Sequence, residues 1–338
     1  MSAQRWLDPA FQSEIGGWIR DRLADNGITP CGQIDQSRVR PWSTVFTVPT
    51  ASAPVWCKAA GPGTAYEVAL VAALGRWLPE RSLVPIAYDI ERAWLLLPDG
   101  GATLREASAG HTDLAHWEDI LVQYAELQRL LADRATSLLS LGVPDLRPAV
   151  LPERRAALLA DEPGLRLGQD VGMTRDQLSA LQAQSKQYAE WCAELDAIGV
   201  APSLQHDDLH DGNVFVPADG SPYYRVFDWG DSSVGHPFAS LLVALRVVAH
   251  LHGLAPGSAE LVRLRDAYLE AWTGEHDRRS LERAAALACR VGVVGRADTY
   301  RRALLTADAT ERDAWDEGVY GWLLEDGAAL LVGPGGAD

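Results

Sequence analysis

Between Gln205 and Asp228 the chain sets three oxygen-bearing side chains in a spacing that few folds can use. His206-Asp207-Asp208-Leu209 opens the stretch and Asn213 follows Asp208 by five residues. A strand-like apolar run from Tyr223 to Phe227 then ends in Asp228-Trp229-Gly230. An aspartate and an asparagine five apart fit on one short loop and can face one point. An aspartate ending a strand that pairs back on that loop approaches from another direction. Magnesium asks for oxygen ligands from separated directions. Phosphoryl transfer asks for such a metal over the phosphate and a carboxylate against the acceptor hydroxyl. A solvated acidic turn of Asp207, Asp208 and Asp211, capped by Asn213, is the simpler alternative, but it gives no reason for the strand-Asp-aromatic-Gly that follows.

The stretch is close to the protein-kinase pair H-R-D-L-x-x-x-N and D-F-G. It resembles more closely the H-G-D-L-H-x-x-N signature of the aminoglycoside phosphotransferase and choline kinase superfamily. The resemblance implies an α+β, protein kinase-like bilobal fold. A small β-rich nucleotide-binding lobe with an N-terminal helix is expected over residues 1–98. A larger, mainly helical lobe over 99–338 is expected to carry the catalytic loop and the acceptor site. It further implies ATP and Mg2+ as cofactors, Asp208 as catalytic base, Asn213 and Asp228 as metal ligands, and His206 and His210 as braces of the loop. Two departures stand out. Asp207 occupies the usual glycine position, and the run toward G-D-P reads Gly235-His236-Pro237-Phe238.

Only Lys58 and Lys186 are lysines among 30 basic residues, so Lys58 stands out. It lies in Val55-Trp56-Cys57-Lys58-Ala59, the third of three strand-like runs after 34–40 and 44–48, all rich in β-branched or aromatic residues and bounded by turn formers. In the resembled family the lysine of this strand grips the ATP phosphates and pairs with a glutamate on the next helix. Here that helix is expected over Ala65–Leu78 and carries Glu67. Thr64-Ala65-Tyr66-Glu67 also reads as a capping box, which would fold Glu67 back on the helix start. Gly61-Pro62-Gly63-Thr64 lacks the pattern of a dinucleotide fingerprint or a P-loop. Ser43 and neighbouring amides are the resemblance's choice for covering the phosphates. Trp94–Leu97 reads as a strand broken by Pro98-Asp99-Gly100-Gly101; by resemblance this is the hinge, with backbone groups of Leu97 and Asp99 holding adenine.

Beyond it the periodicity predicts helices over 103–107, 112–140, 152–160 and 174–198, then 238–251, 259–272, 281–291 and 313–331. The chain has 338 residues, 47% hydrophobic and 22% charged, enough for two lobes with cores. Four scattered cysteines suggest neither disulfides nor a zinc site. No apolar run is long enough to span a bilayer and the opening does not read as a signal peptide, so cytoplasm is expected. The net charge of −16 disfavours nucleic acid and anionic lipid as partners. A small-molecule hydroxyl acceptor is expected instead, with monomer and dimer both open.

A protein kinase is disfavoured because no A-P-E follows Asp228. An inactive kinase-fold binding module would not need Lys58, Asp208, Asn213 and Asp228 together. Among acceptors, an aminoglycoside-like amino sugar is placed first on three grounds: the motif, the acidity of the chain, and acidic turns at Asp207, Asp211 and Asp231. Sugars, amino alcohols, macrolides and other metabolites are the alternatives.

Overall fold

The computed structural model describes residues 3–109, 113–218, 220–315 and 318–332. The expected helix start at Thr112, and residues 316–317 of the helix expected over 313–331, lie outside them. The chain forms two compact units. The first comprises Met1–Gly101, Phe215–Gly230 and Arg302–Trp315; the second comprises Ala102–Val214, Asp231–Arg301 and Asp316–Asp338.

In the first unit, helix α1 (Pro9–Asp25) starts where Asp8 accepts a hydrogen bond from the Ala10 amide, with proline at its first position. It stops at Asn26, and Gly27 takes a left-handed φ of 68°. Strands β1 (Asp35–Arg40), β2 (Ser43–Val48) and β3 (Val55–Ala60) precede helix α2 (Tyr66–Trp77), and β4 (Ala87–Asp89) and β5 (Trp94–Pro98) follow it. The sheet is antiparallel in the order β1-β2-β3-β5-β4, so β3 is central. Cys57 and Ala59 point into a core with Ile15, Ile19 and Leu23 of α1, and Phe46, Val48 and Leu96 of the sheet. Strand alternation therefore puts Lys58 on the opposite face, between Val45 and Leu95.

The second unit is mainly helical. It contains α3 (Leu104–Ala107), α4 (Leu114–Leu131), α5 (Ala135–Ser140), β6 (Asp145–Leu146), α6 (Leu151–Ala160), α7 (Arg175–Ala183), α8 (Ser185–Ala197) and β7 (Ser203–Gln205). The chain then returns to the first unit, whose residues 215–230 carry most of a two-stranded hairpin of β8 (Val214–Phe215) and β9 (Arg225–Val226), before β10 (Ser233–Gly235), α9 (Leu241–His252), α10 (Ala259–Leu269) and α11 (Arg278–Ala303) of the second. Three short helices complete the described chain: α12 (Ala309–Asp313) in the first unit, and α13 (Gly318–Leu324) and α14 (Ala329–Val332) in the second.

Several helices differ from their sequence expectation. The run over 112–140 divides at a 3-10 turn, Ala132–Arg134, and the run over 174–198 divides between α7 and α8. There the buried Arg155 guanidinium donates to the Leu181 carbonyl at 2.7 Å, taking the acceptor that continuation of the helix would use. Thr174 and Gln177 form the expected capping box at the start of α7. Helix α11 runs well beyond 281–291 in both directions.

A buried polar spine fixes β7, the strand that leads into the catalytic stretch. Gln128 of α4 donates to the carbonyls of Leu204 (2.9 Å) and Pro237 (3.2 Å) and accepts from the Tyr268 hydroxyl (2.5 Å). The Ser203 hydroxyl donates to the Gln128 carbonyl at 2.6 Å. Buried polar groups are tolerated when paired in this way, and a satisfied network holds one geometry.

Candidate active site

The first unit assembles a partly buried ion cluster around Lys58. Its Nζ lies 2.6 Å from Glu67 Oε2 and 2.6 Å from Asp228 Oδ1. The two readings of Glu67 are thereby resolved. Helix α2 has no side-chain cap, and the Thr64 hydroxyl donates instead to the Trp42 and Gly61 carbonyls, which leaves Glu67 to the lysine. Burial works against the Lys58 cation, but the charges of Asp228 and Glu67 outweigh it and raise its pKa. Asp228 has a left-handed φ of 63°, an uncommon conformation that aspartate tolerates better than most residues. The turn after it is held by the Tyr66 hydroxyl, which donates to the Gly230 carbonyl at 2.6 Å. Only glycine fits there without displacement: a Cβ on Gly230 would lie 3.1 Å from Glu67 Oε2.

The remaining residues expected to bind the nucleotide lie elsewhere in this unit. Ser43 is buried at the start of β2, opposite Ala60. Leu97 pairs with Trp56, two residues along β5 from the partner of Lys58. Asp99 is exposed past the end of the strand, its Oδ1 accepting from the Gly101 amide at 3.4 Å.

The second unit builds its site on β7. Antiparallel pairing of Ser233 with Gln205 brings the turn at Asp231 beside the loop that begins at His206. Asp207 has φ 59°, which explains why glycine suits this position in the resembled signature. Its carboxylate turns inward and accepts from the Ser233 hydroxyl at 2.5 Å. Asp208 faces the other way and is held at both oxygens. Oδ1 takes Arg296 Nη2 at 3.3 Å; Oδ2 takes the Asn213 amide nitrogen at 3.3 Å and lies 3.5 Å from His210 Nε2. The His210 ring accepts from the Gly212 amide through Nδ1, so its proton sits on Nε2, toward Asp208. Burial opposes ionisation of Asp208. The hydrogen bond from His210 and the charge of Arg296 outweigh that, and hold the carboxyl well below the usual carboxylate range.

Asn213 spends its amide nitrogen on the Asp208 carbonyl (3.0 Å) and side chain, which leaves the amide oxygen as the group it can offer a metal. An amide oxygen is a hard donor, of the kind that magnesium accepts. Asp211 is buried, and Arg105 clamps it through Nη2 at 2.6 Å and Nε at 3.1 Å.

Sequence reasoning did not pick out Arg296. From α11 it reaches Asp208 and, through Nη1, Asp231 Oδ2 at 3.1 Å, with its guanidinium over the rings of Tyr300 and Trp322. The altered G-D-P run is also accounted for. Where a carboxylate would cap the following turn, the His236 Nδ1 accepts from the Phe238 amide at 3.3 Å. Helices α6, α7, α8, α11 and α13 surround a cavity of about 610 Å³ whose walls include Arg155, Tyr188, Trp191, Val293 and Leu323.

A sheet unit with a partly buried lysine-glutamate-aspartate cluster, and a helical unit with an aspartate-asparagine loop, define a kinase-like phosphotransferase. A model of the phosphotransferase enzyme family matches residues 43–287, and the chain belongs to that family of small-molecule phosphotransferases. Solved structures share the fold. Macrolide 2'-phosphotransferase MphH from Brachybacterium faecium is 18% identical, with 88% of this chain and 96% of that one covered and a TM-score of 0.53. An ethanolamine kinase from Plasmodium vivax is 14% identical, covering 88% and 83%, with a TM-score of 0.54. A type I macrolide 2'-phosphotransferase is 14% identical, covering 92% and 97%, also at 0.54. No curated protein sequence matches the chain. Among the described residues no helix is long and apolar enough to cross a membrane.

Proposed function

We propose that the protein transfers the γ-phosphate of ATP, with magnesium, to a hydroxyl of a small molecule. The observation that carries this reading is Asp208, kept ionised and fixed in direction on the same loop as Asn213. Lys58, oriented by Glu67, would hold the nucleotide phosphates, and the Asp228 carboxylate and the Asn213 amide oxygen would each offer an oxygen to the metal. The metal neutralises charge on the phosphates when bound. Asp208 accepts a hydrogen bond from the acceptor hydroxyl and aims its oxygen at the γ-phosphorus. As that P–O bond forms and the bond to ADP breaks, the hydroxyl proton passes to Asp208. A carboxylate held so far toward its ionised form is a weak base, so its main service is orientation, with proton uptake late in the step.

For the acceptor, the family resemblance and the net charge of −16 speak for an amino sugar. The local chemistry favours a second reading, a hydroxyl compound with little positive charge. The three carboxylates that would receive a polycation are already engaged: Asp207 by Ser233, Asp211 by Arg105 and Asp231 by Arg296. Acidic residues on the cavity wall are engaged too, Glu325 by Arg246 at 2.8 Å and Asp326 by Arg290 at 3.8 Å. An ADP-release screen over aminoglycosides, macrolides, sugars and amino alcohols tests both readings. A cationic acceptor must show a KM that climbs with salt as contacts are screened. A best acceptor whose KM ignores ionic strength removes the amino sugar, and no ADP release with any acceptor removes the kinase.

A further inference from the structure

Arg296 is a cation placed at the reacting carboxylate by a helix that begins 18 residues earlier, at Arg278. Its side chain is 6% exposed, and its two terminal nitrogens are divided between Asp208 and Asp231. Its Nε–H is buried without a hydrogen-bond partner among the described residues. Such a residue is a poor choice for packing alone. Burying the charge carries a large desolvation cost, and apolar side chains of similar volume often stabilise a protein as well or better. What a guanidinium adds is direction, since its planar fork fixes two carboxylates at once. The fork itself is set in a frame: Tyr300, one turn along α11, and Trp322 lie 5.4 and 5.5 Å from it. The Thr299 hydroxyl, on the same helix, reaches the Asp231 carbonyl at 3.5 Å. Val293, one turn before Arg296, is on the wall of the 610 Å³ cavity. One helix thus forms part of the cavity wall and also sets the carboxylate.

We propose that Arg296 is a positioning residue for phosphoryl transfer: it pins Asp208 through Oδ1, ties it to the Asp231 turn, and so fixes the direction in which the carboxylate meets the acceptor hydroxyl. This rests on the kinase reading above. The role differs from nucleotide binding, so it makes a specific demand on kinetics. A displacement of about 1 Å in a reacting group costs on the order of 10²-fold in rate, and this loss should fall on kcat.

The test compares wild type, Arg296→Gln, Arg296→Lys, Arg296→Ala and Asp231→Asn in ADP release, with the best acceptor from the screen and with water. In Arg296→Gln, kcat should drop by roughly 10²-fold while the KM for ATP stays put. Lysine keeps the charge but cannot fork, so Arg296→Lys should fall between. Guanidinium ion added to Arg296→Ala should restore part of kcat, which a purely structural defect would not allow. Asp231→Asn leaves the arginine in place and frees one arm of it, so it should lower kcat less and guards against a glutamine variant that fails to fold. Unchanged kcat in folded Arg296→Gln, or a loss carried wholly by the KM for ATP, overturns the role. If wild type itself releases no ADP, the kinase reading falls and takes this one with it, an outcome distinct from an active wild type with an indifferent variant.

Discussion

Acidification should weaken the fold through a single imidazole. His236 is fully enclosed; its Nδ1 accepts from the Phe238 amide and its Nε2 is buried with no partner among the described residues. A second proton would break the first bond and leave a charge with no counterion. Burial, aided by the nearby His276, accordingly pushes the pKa down to about 3 from an ordinary 6.5. In the unfolded chain the ring titrates normally. The folded-state pKa is the lower one, so the stability it contributes is present above pH 6.5 and is lost as pH falls toward 3. Between pH 7 and pH 5 the unfolded state takes up most of a proton that the folded state refuses, a loss of about 2 kcal/mol. Urea unfolding, followed by tryptophan fluorescence at both pH values, should show this in wild type. In His236→Asn the amide oxygen can still accept from Phe238 but does not titrate, so the pH-dependent loss should shrink by about 2 kcal/mol. Equal losses in the two proteins would refute the reasoning.

The catalytic assignments make sharper demands on activity. Asp208→Asn should remove most transfer while leaving ATP affinity nearly intact; weakened ATP binding with unchanged turnover would contradict its place at the acceptor. Asp228→Ala should weaken magnesium-dependent ATP binding together with turnover, and an unaltered magnesium dependence would remove it from the metal. Lys58→Arg should impair the enzyme, because a broad guanidinium does not reproduce a compact ammonium between Glu67, Asp228 and phosphate. Steady-state kinetics at varied ATP reads this last case, and full activity would return Lys58 to a structural role.

The parts of this site that could be read in the sequence are those whose constraint is local. Asp208 and Asn213 lie five residues apart on one loop, and the hydrogen bond between them needs nothing from elsewhere. Lys58 was visible because lysine is nearly absent from the chain, with two among 30 basic residues; Arg296 was hidden for the converse reason. It is one arginine among 28, on a helix of ordinary periodicity, 88 residues from the aspartate it serves. The break between α7 and α8 escaped for a similar cause. Every residue from Leu181 to Ser185 tolerates a helix, and the competing hydrogen bond comes from Arg155 on α6. Strand β4 spans three residues, too short for alternation to register. Glu67 had two local solutions of comparable quality, and the Trp42 and Gly61 carbonyls, by engaging Thr64, select between them.

The sheet unit is not one piece of chain, and this affects how a ribosome can deliver it. All five of its strands have been synthesised by Pro98, yet the unit also takes residues 215–230 and 302–315. At about 5–20 residues per second, completion of the unit trails its last strand by about 10–40 s. Until residue 228 is made, the nascent sheet holds Lys58 with Glu67 alone, because Asp228 lies 170 residues downstream of the lysine. It also lacks Trp315, whose ring meets Trp42 edge-on at 4.9 Å. A nonsense mutation just after residue 301 would leave every strand in place and still strip this unit of residues 302–315, so damage there reaches a sheet made about 200 residues earlier.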